Sequence, residues 1–87
     1  MKVVEELVLR EVAGEYVLIP TGEMASKIHG IIGLNESGVL LYEKLKNNCT
    51  KEELKNALLE TYEVDEETAM KGVEKFLKKM EKAGILR

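Results

Sequence analysis

The chain has 87 residues, 45% hydrophobic and 33% charged, with a net charge of -3 at neutral pH. A chain of this size builds one modest core that buries about 60–70% of its unfolded surface, and its balance of apolar and charged residues is that of a folding domain. Its acidity argues against a phosphate-neutralising surface; one Cys and one His cannot make an internal disulfide or a zinc site; and its apolar runs are too short to cross a membrane.

The N-terminal stretch MKVVEEL carries acids where a signal peptide would carry its apolar run, so a cytoplasmic location is expected. In LVLREVAGEYVLIP two β-rich runs flank Ala13 and Gly14, and a glycine that accepts positive φ is what a tight hairpin turn requires. Residues near 6 to 12 and 15 to 19 are therefore expected to pair. Tyr16 to Ile19 is apolar at every position, so both faces of that strand are covered or one is offered to a partner. Pro20 lacks the N–H that would continue the ladder. Thr21 to Lys27 reads as a polar connection, followed by a third strand over Ile28 to Leu34 whose Gly30 and Gly33 permit a bulge or a close backbone approach.

From Asn35 the apolar period becomes helical. Asn35 is placed as the N-cap of a first helix carrying Val39, Leu40, Leu41, Tyr42 and Leu45. Thr50 and Glu53 have the spacing of a capping box, and Leu54, Ala57, Leu58, Thr61 and Tyr62 form one face of the second helix. Asp65 caps the third, with Glu66 and Glu67 in its first turn, a stripe of Ala69, Val73, Phe76, Leu77 and Met80, and Gly84 as its left-handed stop. The order predicts a single α+β domain over residues 1–87, winged-helix-like, with a three-stranded antiparallel sheet followed by three α-helices.

Chemistry is hard to build from these residues. A nucleophile needs an orienting base, and the chain offers Cys49 before a helix N-terminus, where a dipole could favour the thiolate, and His29 in the third strand, with no third orienting group. The adjacent acid pairs diverge on a helix surface and suit helix starts better than a metal, and the glycines lack the Lys and Ser of a phosphate loop. No catalytic residue, metal or cofactor is expected. Two features suit binding instead: the glycine-broken third strand, whose edge could accept a strand from another chain, and a row of Lys71, Lys75, Lys78 and Lys82 on the third helix, interleaved with Glu67, Glu74 and Glu81.

The segments YVLIPTGE, GIIGLNESGVLLYEKL, TKEELKNALLETYEVDEE and VEKFLKKMEKAGIL together resemble the PqqD family, most specifically at Leu34-Asn35-Glu36 and Tyr62-Glu63-Val64-Asp65. Tyr42 departs from a tryptophan common in that family. The resemblance implies a non-catalytic peptide recognition element that binds the leader of a ribosomally made precursor peptide and presents it to a radical S-adenosylmethionine (SAM) or other modifying enzyme. It further implies that the leader adds to the third strand beside the third helix, giving Ile28, His29, Gly30, Ile31, Ile32, Met70, Lys71, Val73, Glu74, Leu77 and Lys78 as peptide-binding residues. On that basis Gly30→Pro or Leu77→Glu is expected to abolish binding while sparing the fold. The alternatives are a winged-helix DNA-binding regulator, disfavoured by the acidity and by only two arginines, Arg10 and Arg87, and a subunit that dimerises through its strand edge. A monomer or weak homodimer is expected, with no nucleic acid and no membrane as partner.

Overall fold

A computed structural model describes residues 1–28 and 30–87. Strand β1 (Leu7–Val12) turns through Ala13 and Gly14, at φ of 53° and 82°, into β2 (Glu15–Pro20). Two successive left-handed residues make the turn whose twist matches that of its strands. The register runs from Leu7 opposite Pro20 to Val12 opposite Glu15. Pro20 is thus the last paired residue of β2, as its missing donor requires.

The polar connection contains a one-turn helix, α1 (Met24–Lys27), which puts Met24 into the core. The expected third strand is much shorter than Ile28 to Leu34: β3 spans only Ile32–Leu34. The Ile28 amide closes α1 by donating to Met24 at 2.9 Å, and Gly30 sits at φ +87°, so the chain enters extended pairing only beyond the second isoleucine. Antiparallel pairing of Tyr16 with Leu34 and Leu18 with Ile32 completes a sheet of order β1-β2-β3, which leaves β3 at an edge.

Helices α2 (Glu36–Leu45), α3 (Lys51–Thr61) and α4 (Glu66–Lys82) follow the sheet, each started as the sequence predicts. The Asn35 side chain accepts from the Gly38 amide at 2.8 Å, Thr50 and Glu53 exchange bonds of 3.1 and 2.9 Å, and Asp65 accepts from the Thr68 amide at 2.7 Å. Gly84, at φ +76°, ends α4, and the Ile85 amide donates back to Met80 at 3.2 Å, which turns Ile85 into the core. That six-to-one bond with its apolar contact is a Schellman stop.

Leu18 from the sheet, Leu41 and Leu45 from α2, Leu54 from α3, and Val73 and Met80 from α4 meet in one cluster with almost no exposed surface. Each such side chain contributes about 1.5–3 kcal/mol by leaving water. Thr61 departs from its expected buried face: it is exposed and its hydroxyl donates to the Ala57 carbonyl at 2.9 Å. The two apolar faces of β2 divide as expected from their alternation, with Leu18 in the core and Val17 buried outside that cluster. One feature had no sequence signal: residues 2–4 lie beside residues 85–87, with Lys2 and Arg87 exchanging backbone bonds of 3.0 and 2.7 Å and Val4 donating to Ile85 at 2.9 Å.

Candidate functional site

The edge position of β3 follows from the strand order, and its chemistry follows from Gly33. In an antiparallel pair, a residue's N–H and C=O point to the same side, alternately toward the partner strand and away from it. Lys79 on α4 donates through Nζ to the Gly33 carbonyl. That carbonyl therefore points away from β2 and toward α4, and the Gly33 amide points with it. A β-carbon placed on Gly33 would meet nothing within 4 Å, so this part of the edge is open on its side-chain face as well.

Across from the edge, α4 presents Gly72, Lys75, Phe76 and Lys79, spaced at three, four and seven residues and so on one helix face. With Leu34, the N-terminal turn of α2, Leu41 and Leu58 they line a recess of about 310 Å³. A β-carbon on Gly72 would lie 3.7 Å from Leu58, an ordinary contact distance. A second, shallower depression of about 680 Å³ lies beyond, lined by Tyr16, Val17, Gly33 and the carboxylates of Glu11, Glu15 and Glu36. Leu34, Asn35 and Lys79 border both hollows. The arrangement offers main-chain pairing groups, an apolar socket and charges of both signs, a combination suited to holding an extended chain by its backbone and by alternate side chains.

The sequence-derived binding residues fall in three places. Ile31 is 61% exposed and adjoins β3; Gly30 is exposed; Ile28 is half-buried and Ile32 is buried in the core. His29 lies outside the described residues. On α4, Val73 is 0% and Leu77 6% exposed, both inside the core cluster, and Met70 packs against that cluster half-buried. Glu74 pairs with Lys51 of α3 at 3.8 Å, Lys71 pairs with Glu67 at 3.2 Å, and Lys78 is exposed. The five-residue step from Glu74 to Lys79 is about 140° around the helix, which is why these two reach different neighbours. Of the expected lysine row, Lys75 alone lines the recess, and Lys79, which the row omitted, reaches β3. The spacing of Gly72, Lys75, Phe76 and Lys79 was visible in the sequence, but periodicity gives a face and not the neighbour it meets.

These placements also correct two expected tests. Gly30 holds φ +87°, which proline cannot adopt, and Leu77→Glu puts a carboxylate into the core, so the first is expected to distort the entry to β3 and the second to destabilise the fold. At Cys49, where a helix dipole could favour a thiolate, burial, reinforced by the Glu53 carboxylate, pushes the thiol up. Tyr42 is a packing residue, as its departure from tryptophan suggested; it lies in the core cluster, and burial raises its phenol above the ordinary range. Among the described residues, no group of three His, Cys, Asp or Glu side chains could hold a metal ion, and no helix is long and apolar enough to cross a membrane.

Comparison with curated protein sequences returned no match. Among solved structures, the chain superposes on TbiB1 in complex with the TbiA(beta) leader peptide with a TM-score of 0.78 and 23% identity, covering 100% of this chain and 95% of that one. It superposes on lasso peptide synthetase B1 complexed with the leader peptide with a TM-score of 0.74 and 15% identity, covering 97% of this chain and 93% of that one. At these identities the likeness is one of fold. The family profile of coenzyme PQQ synthesis protein D matches residues 7–86, nearly the whole chain. This chain belongs to the PqqD family.

Proposed function

We propose that this chain is a non-catalytic recognition domain that binds the leader of a ribosomally made precursor peptide and presents it to a peptide-modifying enzyme. The observation that carries the reading is the open β3 edge facing the Gly72, Lys75, Phe76 and Lys79 face of α4, in a member of the PqqD family. Support comes also from the two structural neighbours, each solved with a leader peptide. The leader adds as a fourth strand to β3, with Ile31 and Gly33 as its main-chain partners, and one of its apolar side chains enters the 310 Å³ recess. Met70, Val73 and Leu77 then support α4 from the core side, while Lys75 draws acidic leader residues toward the groove.

A radical SAM enzyme is the first partner to test, and a cytoplasmic monomer or weak homodimer is the working form. The family and the acidic charge favour this reading over DNA binding. The test is an amide NMR titration with the leader of the precursor peptide encoded beside the gene. Saturable shifts at residues 31–34 and at Gly72, Lys75, Phe76 and Lys79 are expected. Unchanged spectra at near-millimolar peptide overturn that pairing.

A further inference from the structure

We propose that Lys79 is a displaceable cap on the β3 edge, holding the free protein in a form that an incoming strand must open; the peptide arm of this inference rests on the function proposed above. β3 has three residues, and the register directs the polar groups of Ile32 and Leu34 toward β2 once those of Gly33 point outward. The Gly33 carbonyl is therefore the single acceptor that this strand turns to its open side, and the Lys79 ammonium occupies it. A fourth strand must place an N–H where that ammonium sits.

The position of the side chain adds to its effect. Lys79 borders both hollows, so its stem stands where an extended chain passing along the edge would run from one to the other. The second hollow carries Glu11, Glu15 and Glu36, toward which a released ammonium can turn without leaving the surface. Displacement exchanges one exposed charge-assisted bond for a neutral main-chain bond and a freed cation, a small difference that leaves the cap reversible. Covering an exposed strand edge also guards it against unwanted pairing, so the same contact, made from α4, shields β3 from a second copy of the chain.

Capping lowers the fraction of molecules ready to pair, and apparent affinity falls by that fraction. Lys79→Met keeps the apolar stem and removes the donor; Lys79→Arg keeps both charge and donors. In carbonyl-resolved NMR of the free proteins, read through the Leu34 amide, the Gly33 carbonyl carbon should move upfield in Lys79→Met more than its neighbours do, and stay near its original position in Lys79→Arg. In calorimetric titration with the leader of the adjacent precursor, Lys79→Met should bind about three- to tenfold more tightly, and Lys79→Arg about as the unmodified chain. An unmoved Gly33 carbonyl in Lys79→Met, or weaker binding by that variant, overturns the cap. The carbonyl comparison uses no peptide, so it decides the cap even where the titration defeats the leader reading.

Discussion

Helix α4 and strand β3 face one another, yet they are stabilised in opposite ways. α4 runs for 17 residues, is started by Asp65, stopped by Gly84, and drives Ala69, Val73, Phe76, Leu77 and Met80 into the core. β3 has three residues, follows a glycine at φ +87°, and is preceded by an isoleucine that is 61% exposed. The helix satisfies its own backbone and hides its apolar stripe; the strand leaves polar groups on offer, and the isoleucine before it leaves apolar surface. A small domain with one core concentrates stability in the first kind of element and can reserve the second for a partner.

Of the changes that test this division, the largest effect belongs to a charge placed under α4. Leu77→Glu should cost about 4 kcal/mol or more and leave the chain largely unfolded by circular dichroism, whereas Ile31→Glu on the edge should shift stability by about 0.5 kcal/mol or less in urea titration. Equal losses would erase the contrast. The next effect is on binding: Gly33 is outside the positive-φ residues and its amide faces the open side, so Gly33→Pro should fold normally, with a thermal midpoint close to that of the unmodified chain, while leader affinity drops at least about tenfold. Retained affinity would mean that the peptide does not pair with β3.

Smaller effects probe the helix starts. Thr50→Ala removes half of the capping box on α3 and should cost about 1 kcal/mol by chemical denaturation, with no change in leader affinity. Hydrogen bonds from the Thr68 side chain and amide hold the Asp65 carboxyl below the usual range, and the Thr50 backbone and hydroxyl do the same for Glu53. Both groups therefore contribute stability that is present above their unfolded values near about pH 4 and is lost as pH falls through the lower folded values. Asp65→Asn keeps a capping oxygen without the titration, so its thermal midpoint should fall less steeply than that of the unmodified chain between about pH 5 and pH 2. Parallel pH profiles would show that the charge on Asp65 adds nothing to the cap.

The helical half was legible because its signals are local. A cap and the amide it binds are three residues apart, and an apolar stripe repeats within each helix, so Asn35, Thr50, Asp65 and Gly84 could be assigned from spacing alone. The stretch from Ile28 to Leu34 was legible only in part. Its isoleucines favour a strand, but the α1 turn takes the Ile28 amide and Gly30 bends the chain, so pairing shortens to the three residues that reach β2. The face of α4 that meets the edge was missed for a different reason: Met70 and Leu77 are as apolar as Phe76, and a row of lysines does not say which member has an acceptor within reach.

From the sequence alone came the order of the three strands and the three longer helices, though not the one-turn α1, together with the hairpin turn, the caps, the acidic balance and the resemblance that the family profile bears out. Those depend on intervals of a few residues or on the chain read as a whole. The tertiary structure decided which strand lies at the edge, that Gly33 turns its carbonyl outward, and that Lys79, 46 residues away, meets it. Contacts at such separations are set by how helices pack on a sheet, and local sequence carries no record of that geometry.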